Sequence, residues 1–475
     1  MAYTTSSSSQ LNIAVVGCTH GELDVVYSTI QQIQQHKSEK LGYPYIIDLV
    51  LCCGDFQCCR NLADLQSMSV PSKYTKLHNF YEYYSGSKHA PVLTIFIGGN
   101  HENSNYLTEL YLGGYIAHNI YYAGYSNVLS YGGHTISCIS GIYKPNDYMN
   151  GYCESIPFNE TTKRSIYHTR AYQFDKFDIL HRYNNLSTTT VPLFIDIMLS
   201  HDWPNGITPY GNQYKLLQQK KYFRDDIESN QLGSTPSMKL LYTLRPSYWF
   251  SAHLHIKFPA VVPHSNSIIP QQHKNSCSHH SVPQNKTPTS HSYIDNHPSN
   301  NKHTKFLALD KCLPNRDWLQ IIELPCHGNK QLSYTIEWLA VLKATLPYMS
   351  TTYRSSHIPS NIDISYNIEL LNNRIRQFNI QTDKTTHNNT IIPIYIPFVA
   401  TAPPHQPGVD ILPPTQYIQN PQTTQLLDLL QCSDPYLIQQ QHKLSSNNQY
   451  DLQSTQYNVT APSTTNSEEV DIDNI

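Results

Sequence analysis

Seven side chains of types that bind metal ions follow the ends of apolar segments in this 475-residue sequence: Cys18, His20, Asp55, Asn100, His201, His253 and His255. Cys18 and His20 lie two residues apart, a spacing that allows both to bind one ion, and Asp55 could bridge to a second ion held by Asn100 and His201. His253 and His255 are also two apart on a segment predicted to be extended, so both are expected to point to one side. Two ions about 3.5–4 Å apart can clamp the attacking and leaving oxygens of a phosphoryl group. The set therefore predicts phosphoryl hydrolysis.

Other polar residues lie beside these candidate ligands. His101 directly follows Asn100 and could protonate the leaving oxygen, or it could serve only to orient Asn100. Glu102 and Asp202 are better suited to orienting ligands than to binding metal. A single buried cysteine is usually a small apolar core residue. The metal hypothesis therefore depends on the joint occurrence of all seven candidates.

The residues that precede the candidate ligands have the pattern of buried strands. Five apolar runs end just before them, at residues 11–16, 45–53, 92–97, 194–199 and 247–252. Helical patterns at 22–35 and 74–84 separate the first three runs, and this alternation predicts a layered α/β domain. Shorter alternating segments from residue 120 onward, among them 120–125 and 135–141, predict a second sheet. Ligands gather at the carboxyl ends of strands in such sheets, which is where these side chains fall.

Composition limits the classes of function. The formal net charge is -3, so no overall positive field attracts nucleic acid, and any such binding must come from a local pocket. The eleven cysteines include two adjacent pairs and do not resemble a secreted disulfide framework. Residues 1–10 lack the pattern of a signal peptide, and no apolar run approaches the ~20 residues of a membrane span. These features favour a soluble protein of a reducing compartment that does not bind membranes.

Composition also divides the chain. Residues 1–10 are a Ser/Thr-rich lead that we expect to be disordered, and 262–303 form a low-complexity insert that cannot bury enough apolar surface to fold. Order is predicted to return with a hairpin formed by 306–309 and 319–322, then a strand and an amphipathic helix within 332–346. Beyond residue 350 the chain is polar, with apolar islands at 391–399 and 426–430. Residues 436–475 are predicted to be a disordered polar and acidic tail.

The motifs resemble a known family. Cys18-x-His20, Gly54-Asp55, Gly99-Asn100-His101-Glu102, His201 and His253-x-His255 together resemble the calcineurin-like metallophosphoesterases. Further matching stretches narrow the resemblance to the RNA lariat debranching enzymes, at residues 17–24, 53–57, 70–74, 119–122, 140–144, 200–204 and 306–314. The resemblance spans residue 11 to about 345, is interrupted by 262–303, and resumes weakly at 420–423.

The resemblance implies a fold and an activity. The fold is a two-sheet αββα sandwich with a smaller C-terminal domain, so that 11–261 and 304–345 form the catalytic domain and 346–435 the C-terminal one. The activity is hydrolysis of the 2′,5′-phosphodiester of intron lariat RNA, with His101 as the general acid. One or two divalent ions per chain are implied, Fe²⁺, Zn²⁺ or Mn²⁺. Cys18 stands where most metallophosphoesterases have Asp, and a thiolate favours Zn²⁺ or Fe²⁺ over Mg²⁺.

The resemblance also implies a recognition loop at residues 140–170. We expect its aromatic and basic side chains to stack on bases and contact phosphates, and the candidates are Tyr143, Lys144, Arg164, His168 and Arg170. The partners implied are branched lariat RNA and proteins of the spliceosome or of RNA turnover, in the nucleus. Two alternatives remain: a general phosphatase or 3′,5′-phosphodiesterase of the same fold, and a non-catalytic scaffold.

Overall fold

The structure is a computed structural model that describes residues 10–186, 192–264, 301–355, 357–378, 380–384 and 390–450. Its strands are β1 Gln10–Val16, β2 Leu49–Cys52, β3 Thr94–Phe96, β4 Gly114–Ala117, β5 Ile120–Tyr122, β6 Ser126–Tyr131, β7 His134–Ile139, β8 Ile197–Ser200, β9 Tyr248–Ser251, β10 Phe258–Pro263, β11 His303–Ala308, β12 Leu319–Pro325, β13 Ser333–Thr335, β14 Asp383–Lys384 and β15 Thr390–Pro393. Its helices are α1 Leu23–Leu41, α2 Phe80–Tyr84, α3 Ser104–Glu109, α4 Pro145–Tyr148, α5 Thr162–Ser165, α6 Ala171–Leu186, α7 Gln213–Gln219, α8 Phe223–Glu228, α9 Thr235–Leu244, α10 Ile336–Thr345, α11 Ser365–Gln377, α12 Pro421–Leu430 and α13 Pro435–Tyr450. Within these ranges no helix is both long and apolar enough to span a membrane.

The strands form two sheets. The first has the order β12-β1-β2-β3-β5-β4, and the second has the order β10-β11-β9-β8-β7-β6-β13-β15-β14. The centre of each sheet is parallel: β1, β2, β3 and β5 in one, and β7, β8, β9 and β11 in the other. Parallel strands are usually covered on both faces, which explains why these runs are almost entirely apolar.

The alternation of β1 shows how the layers pack. Leu11, Ile13 and Val15 belong to the main core, which also contains residues of the second sheet such as Leu199. Ala14 and Val16 point to the opposite face and join a second cluster with α1 residues such as Val26 and Ile30. Because successive side chains of a strand point to opposite faces, one face of β1 meets the other sheet and its other face meets helices. The predicted αββα sandwich is therefore confirmed.

Two predictions for residues 304–346 are wrong. β11 and β12 do not form a hairpin: β11 pairs with β10 and β9 in the second sheet, whereas β12 pairs with β1 in the first. The helix α10 is not amphipathic, because most of its residues are buried, including Trp338 and Leu342. It packs against α6 and α11, so it has no broad solvent face.

Element boundaries also differ from the predictions. α1 continues to Leu41, six residues beyond the predicted end, and stops where Gly42 adopts a left-handed conformation with φ 76°. α13 covers residues that were assigned to the tail, because Tyr436 is buried and anchors the helix to the core. Residues 1–9 of the predicted lead, 265–300 of the insert and 451–475 of the tail lie outside the described residues. The bounds of the lead and the insert were wrong, because Gln10 belongs to β1, Pro263 to β10 and His303 to β11.

Candidate metal centre and active site

The candidate ligands lie at the carboxyl ends of five parallel strands from both sheets. β1 is followed by Cys18 and His20, β2 by Asp55 and β3 by Asn100. From the second sheet, β8 is followed by His201, and β9 by the pair of histidines at 253 and 255. The structure brings all seven together in two groups that share Asp55.

The first group comprises Cys18, His20, Asp55 and His255. One potential ligand atom from each lies within 4.8 Å of the other three, and three of the four residues are buried. Nε2 of His20 is 3.3 Å from Nε2 of His255 and 3.8 Å from Oδ2 of Asp55. A thiol, two imidazoles and a carboxylate at these distances could hold one divalent ion.

The second group is organised around His201. Nδ1 of His201 donates a hydrogen bond to the Cys53 carbonyl at 2.7 Å, which leaves Nε2 directed into the site. Nε2 is 3.2 Å from Oδ1 of Asp55 and 3.2 Å from Oδ1 of Asn100. Three atoms with lone pairs thus converge, and a cation between them would satisfy all three. His253 also belongs to this group, and its ring centroid lies 4.9 Å from that of His201.

Asp55 divides its two oxygens between the groups. Oδ2 faces His20, while Oδ1 faces His201 and accepts a hydrogen bond from the backbone N–H of His101 at 3.0 Å. Burial by itself would raise the pKa of Asp55, but the neighbouring His201, His101 and His20 outweigh it and hold the pKa well below its usual range. An ionised carboxylate with one oxygen toward each group has the geometry of a bridging ligand.

The backbone at the site is strained. Four candidate ligands have positive φ angles: His20 at 46°, Asp55 at 49°, His253 at 65° and His255 at 49°. Such angles are uncommon outside glycine and concentrate at functional sites. They also correct one expectation, because the segment after β9 turns instead of extending. His253 therefore joins His201, and His255 joins His20.

Two glycines allow the strand ends to approach each other. A Cβ at Gly99 would overlap Oδ1 of Asp55, and a Cβ at Gly54 would overlap Nδ1 of His201. These positions therefore require glycine for close approach, and at Gly54 also for its φ of 111°.

Two buried carboxylates accept hydrogen bonds from the backbone around the site. Glu102 accepts hydrogen bonds from the backbone N–H groups of Phe56 at 2.7 Å, Gln57 at 2.9 Å and Gly99 at 3.0 Å, so it joins the turns after β2 and β3. Asp202 accepts from the backbone N–H groups of Trp203 and Tyr143. Burial raises the pKa of Glu102 to about 7 and that of Asp202 to about 6. In this structure both carboxylates accept hydrogen bonds from backbone N–H groups, and their predicted role of orienting metal ligands stays a prediction.

Cys18 lies in an environment that disfavours a free thiolate. Its side chain is fully buried, and burial together with the nearby Asp55 raises its pKa well above the usual value. The backbone N–H of His253 approaches its Sγ at 3.4 Å. A bound cation would reverse this balance, because coordination deprotonates a thiol.

Gln57 also lies at the site, although its sequence position does not indicate a role there. Its Nε2 lies 3.4 Å from Nδ1 of His20, and the side chain is 3% exposed. The contact depends on a positive φ of 57° at Gln57. A single glutamine between Phe56 and Cys58 carries no pattern that reveals such a turn.

The predicted recognition residues fall into two sets. Tyr143, Lys144 and Arg164 are at least partly exposed, and the backbone of Tyr143 is fixed to Asp202 beside the ligands. Arg170 is 1% exposed and pairs with Glu154 at 2.7 Å. His168 is 8% exposed, and its Nδ1 lies 2.6 Å from Asp147. In this structure Arg170 and His168 bind the segment to itself, and their predicted RNA contacts stay a prediction.

Comparison of the sequence with known protein families identifies a family with this kind of fold and site. The family model described as calcineurin-like phosphoesterase matches residues 11–257, slightly more than half of the chain. The protein is therefore a calcineurin-like phosphoesterase, a class that uses divalent metal ions.

More specific relatives define the branch of this class. The model described as lariat debranching enzyme, C-terminal domain, matches residues 301–435. Lariat debranching enzyme A of Xenopus laevis is 41% identical over 439 residues, which cover 91% of this chain and 72% of that protein. The enzyme of Arabidopsis thaliana is 40% identical over 90% of this chain and 87% of that protein. The enzyme of Homo sapiens is 46% identical over 74% of this chain and 57% of that protein. The chain belongs to the lariat debranching enzyme family.

Proposed function

We propose that this chain is a metal-dependent phosphodiesterase that hydrolyses the 2′,5′-phosphodiester at the branch of lariat RNA and releases linear RNA. The observation that carries the proposal is the pair of ligand groups that share Asp55, with one carboxylate oxygen facing each group. Membership in the lariat debranching enzyme family supports the choice of substrate.

The metal ligands are assigned by group. Cys18, His20 and His255 would hold one divalent ion, and Asn100, His201 and His253 would hold the other. Asp55 would contribute one carboxylate oxygen to each. When bound, such ions would supply Lewis-acid activation of water and of the phosphoryl group. The buried Cys18 favours Zn²⁺ or Fe²⁺, with Mn²⁺ as the harder alternative.

His101 is proposed to protonate the leaving 2′-oxygen. Its backbone N–H is bonded to Asp55, and its ring lies 5.2 Å from the ring of His20, between centroids. The side chain is neither fully buried nor fully exposed, so it can reach both the site and a substrate. An imidazole beside the ligands, but not needed among them, is suited to proton transfer.

The segment 140–170 is proposed to bind the branched RNA through Tyr143, Lys144 and Arg164. Tyr143 supplies an aromatic face for a base, and the two cations suit phosphates. Because lariats form during splicing, the expected place of action is the nucleus. The expected partners are proteins of splicing or RNA turnover.

One assay tests the proposal. The purified full chain is incubated with a 2′,5′-branched RNA, its linear 3′,5′ counterpart and an aryl phosphate, each with and without chelator. Chelator-sensitive cleavage of the branch alone is expected, and Asp55→Asn should abolish it. Cleavage of the linear RNA at a similar rate would indicate a general phosphodiesterase. Cleavage of none of the three by metal-loaded protein would indicate a scaffold.

A further inference from the structure

The side-chain amide of Gln57 lies next to the candidate ligand His20, and only one end of it is satisfied. Its Nε2 is 3.4 Å from Nδ1 of His20. Its Oε1 is buried and has no hydrogen-bond partner among the residues that the structure describes. Gln57 is 3% exposed, so solvent does not supply the missing donor. A buried acceptor without a partner is costly, and this one therefore calls for a physical explanation.

The backbone on both sides keeps the amide beside the ring of His20. Gln57 has a φ of 57°, and its backbone N–H donates a hydrogen bond to Oε2 of Glu102 at 2.9 Å. The backbone N–H of His20 donates to the carbonyl of Asp55 at 2.7 Å, which joins the turns after β1 and β2. A half-turn about the Cγ–Cδ bond of Gln57 exchanges Oε1 and Nε2 without moving the rest of the side chain.

The tautomer of His20 decides which atom of the amide should face it. Nε2 of His20 is directed into the first ligand group, 3.3 Å from Nε2 of His255 and 3.8 Å from Oδ2 of Asp55. A neutral imidazole carries one proton, so a metal ion on Nε2 requires that proton to be on Nδ1. Nδ1–H and the amide N–H₂ of Gln57 would then be two donors facing each other. A half-turn of the amide removes this conflict and gives the buried Oε1 a donor.

His201 has the corresponding arrangement in the second ligand group. Its Nδ1 donates to the carbonyl of Cys53 at 2.7 Å, and its Nε2 faces the site. Metal-binding histidines generally donate their second ring N–H in this way, and the bond fixes both the tautomer and the orientation of the ring. The acceptor for His201 is a backbone carbonyl. For His20 the side-chain amide of Gln57 stands in the same position relative to the ring.

We propose that Gln57 is a positioning residue of the metal centre: its Oε1 accepts a hydrogen bond from Nδ1–H of His20 and so holds Nε2 toward the ion. This inference rests on the proposed function, in which His20 is a metal ligand. An amide can present either a donor or an acceptor. The same side chain can therefore pair with His20 when Nδ1 is unprotonated and also in the tautomer that binds metal.

Metal affinity of the purified full chain gives the first test. Zn²⁺ binding is measured by competition with a chromophoric chelator in the absence of RNA, so the readout does not depend on turnover. Gln57→Met keeps the length of the side chain without the amide and should weaken the binding of one ion by about 10- to 100-fold. Gln57→Glu keeps an acceptor beside Nδ1 and should recover most of the affinity. Gln66→Met changes an exposed glutamine of the same segment and should leave binding unchanged.

NMR of the Co²⁺-loaded protein shows whether the effect passes through the ring of His20. Co²⁺ shifts the ring N–H protons of the histidines that bind it far from the other signals, and their disappearance in D₂O identifies them. In Gln57→Met one of these signals should be lost or broadened by exchange with water, whereas in Gln57→Glu it should remain. A general loosening of the fold would change several of them at once. Thermal unfolding of each variant checks that the fold is retained.

The outcomes separate this inference from the proposed function. A selective loss of Zn²⁺ affinity and of one ring N–H signal in Gln57→Met supports the role of Gln57. Equal Zn²⁺ affinity or an unchanged set of ring N–H signals in that variant overturns it and leaves the proposed activity standing. Loss of the signal in Gln57→Glu also overturns it, which keeps the test decisive if Gln57→Met does not fold. Metal binding by the wild type without cleavage of branched RNA overturns the proposed function alone, and a wild type that binds no metal overturns both.

Discussion

His101→Ala should separate proton transfer from metal binding. Asp55 is held by the backbone N–H of His101 at 3.0 Å, and this bond is retained when the side chain is truncated. The imidazole of His101 is absent from the first ligand group, whose atoms come from Cys18, His20, Asp55 and His255. The substitution should therefore leave both ligand groups in place.

The expected loss follows from the chemistry of the leaving group. A ribose 2′-oxygen is a poor leaving group unless it is protonated, and a positioned general acid contributes about 10²- to 10⁴-fold. This corresponds to about 3–5 kcal/mol of transition-state stabilisation. We expect kcat on branched RNA to fall by that factor, with KM within about threefold of the wild type because binding is unchanged.

Three measurements check this prediction. Single-turnover cleavage of branched RNA gives the rate, elemental analysis gives the metal content, and a nitrophenyl phosphodiester gives a leaving group that needs no proton. The variant should cleave the nitrophenyl ester nearly as fast as the wild type. His118→Ala, which changes an exposed histidine beside His89, should be neutral in all three. Metal loss in parallel with activity would refute the reasoning and make His101 a structural residue.

Three further predictions concern packing and charge. Gly99→Ala places a Cβ against Oδ1 and the backbone N of Asp55, so the turn itself must shift, and metal content, activity and the unfolding temperature should all fall. Arg60→Met removes a guanidinium that pairs at 2.8 Å with both Asp64 and Glu109, and leaves two buried carboxylates unpaired. Urea unfolding should show a loss of about 3–5 kcal/mol. Burial lowers the pKa of Lys176 from 10.5 to about 7, so between these pH values the unfolded chain binds a proton that the folded chain does not. The free energy of unfolding of the wild type should therefore rise with pH between about 7 and 10.5. Lys176→Met should remove this pH dependence and raise the urea midpoint at pH 7. A variant with the same pH dependence as the wild type would contradict the reasoning.

The central strands of both sheets and the residues at their ends could be predicted, because each is indicated by a short stretch of neighbouring residues. Each buried strand is a short apolar run, and the residues just after it are fixed at the sheet edge by the chain itself. For the same reason the candidate ligands Cys18, Asp55 and Asn100 could be proposed without knowing how the sheets pack. The placement of His253 in one group and His255 in the other could not be predicted. It depends on positive φ angles at both residues, in a segment whose sequence predicts an extended conformation.

Long-range pairing was the main source of error. β11 and β12 are close in sequence and strand-like, which is typical of a hairpin, but β12 pairs with β1 some 300 residues away, as in the register of Val16 with Leu319. Arg170 lies in a basic and aromatic segment, which is typical of RNA binding, but it pairs with the buried Glu154. In the first case a strand far along the chain determines the pairing, and in the second a buried carboxylate determines where the side chain lies.

The placement of Asp55 links the active site to the assembly of the fold. Its Oδ2 faces a histidine of the first sheet, and its Oδ1 faces His201 from the second, so neither group is complete until the two sheets have packed. Before metal binds, the packed site keeps four candidate ligands at positive φ, which is unfavourable. Glu102 counters this through three backbone hydrogen bonds that hold the turns after β2 and β3 without requiring a cation. The site is therefore built to exist before its ions arrive, and metal binding should stabilise the packing of the sheets more than the strands within either sheet.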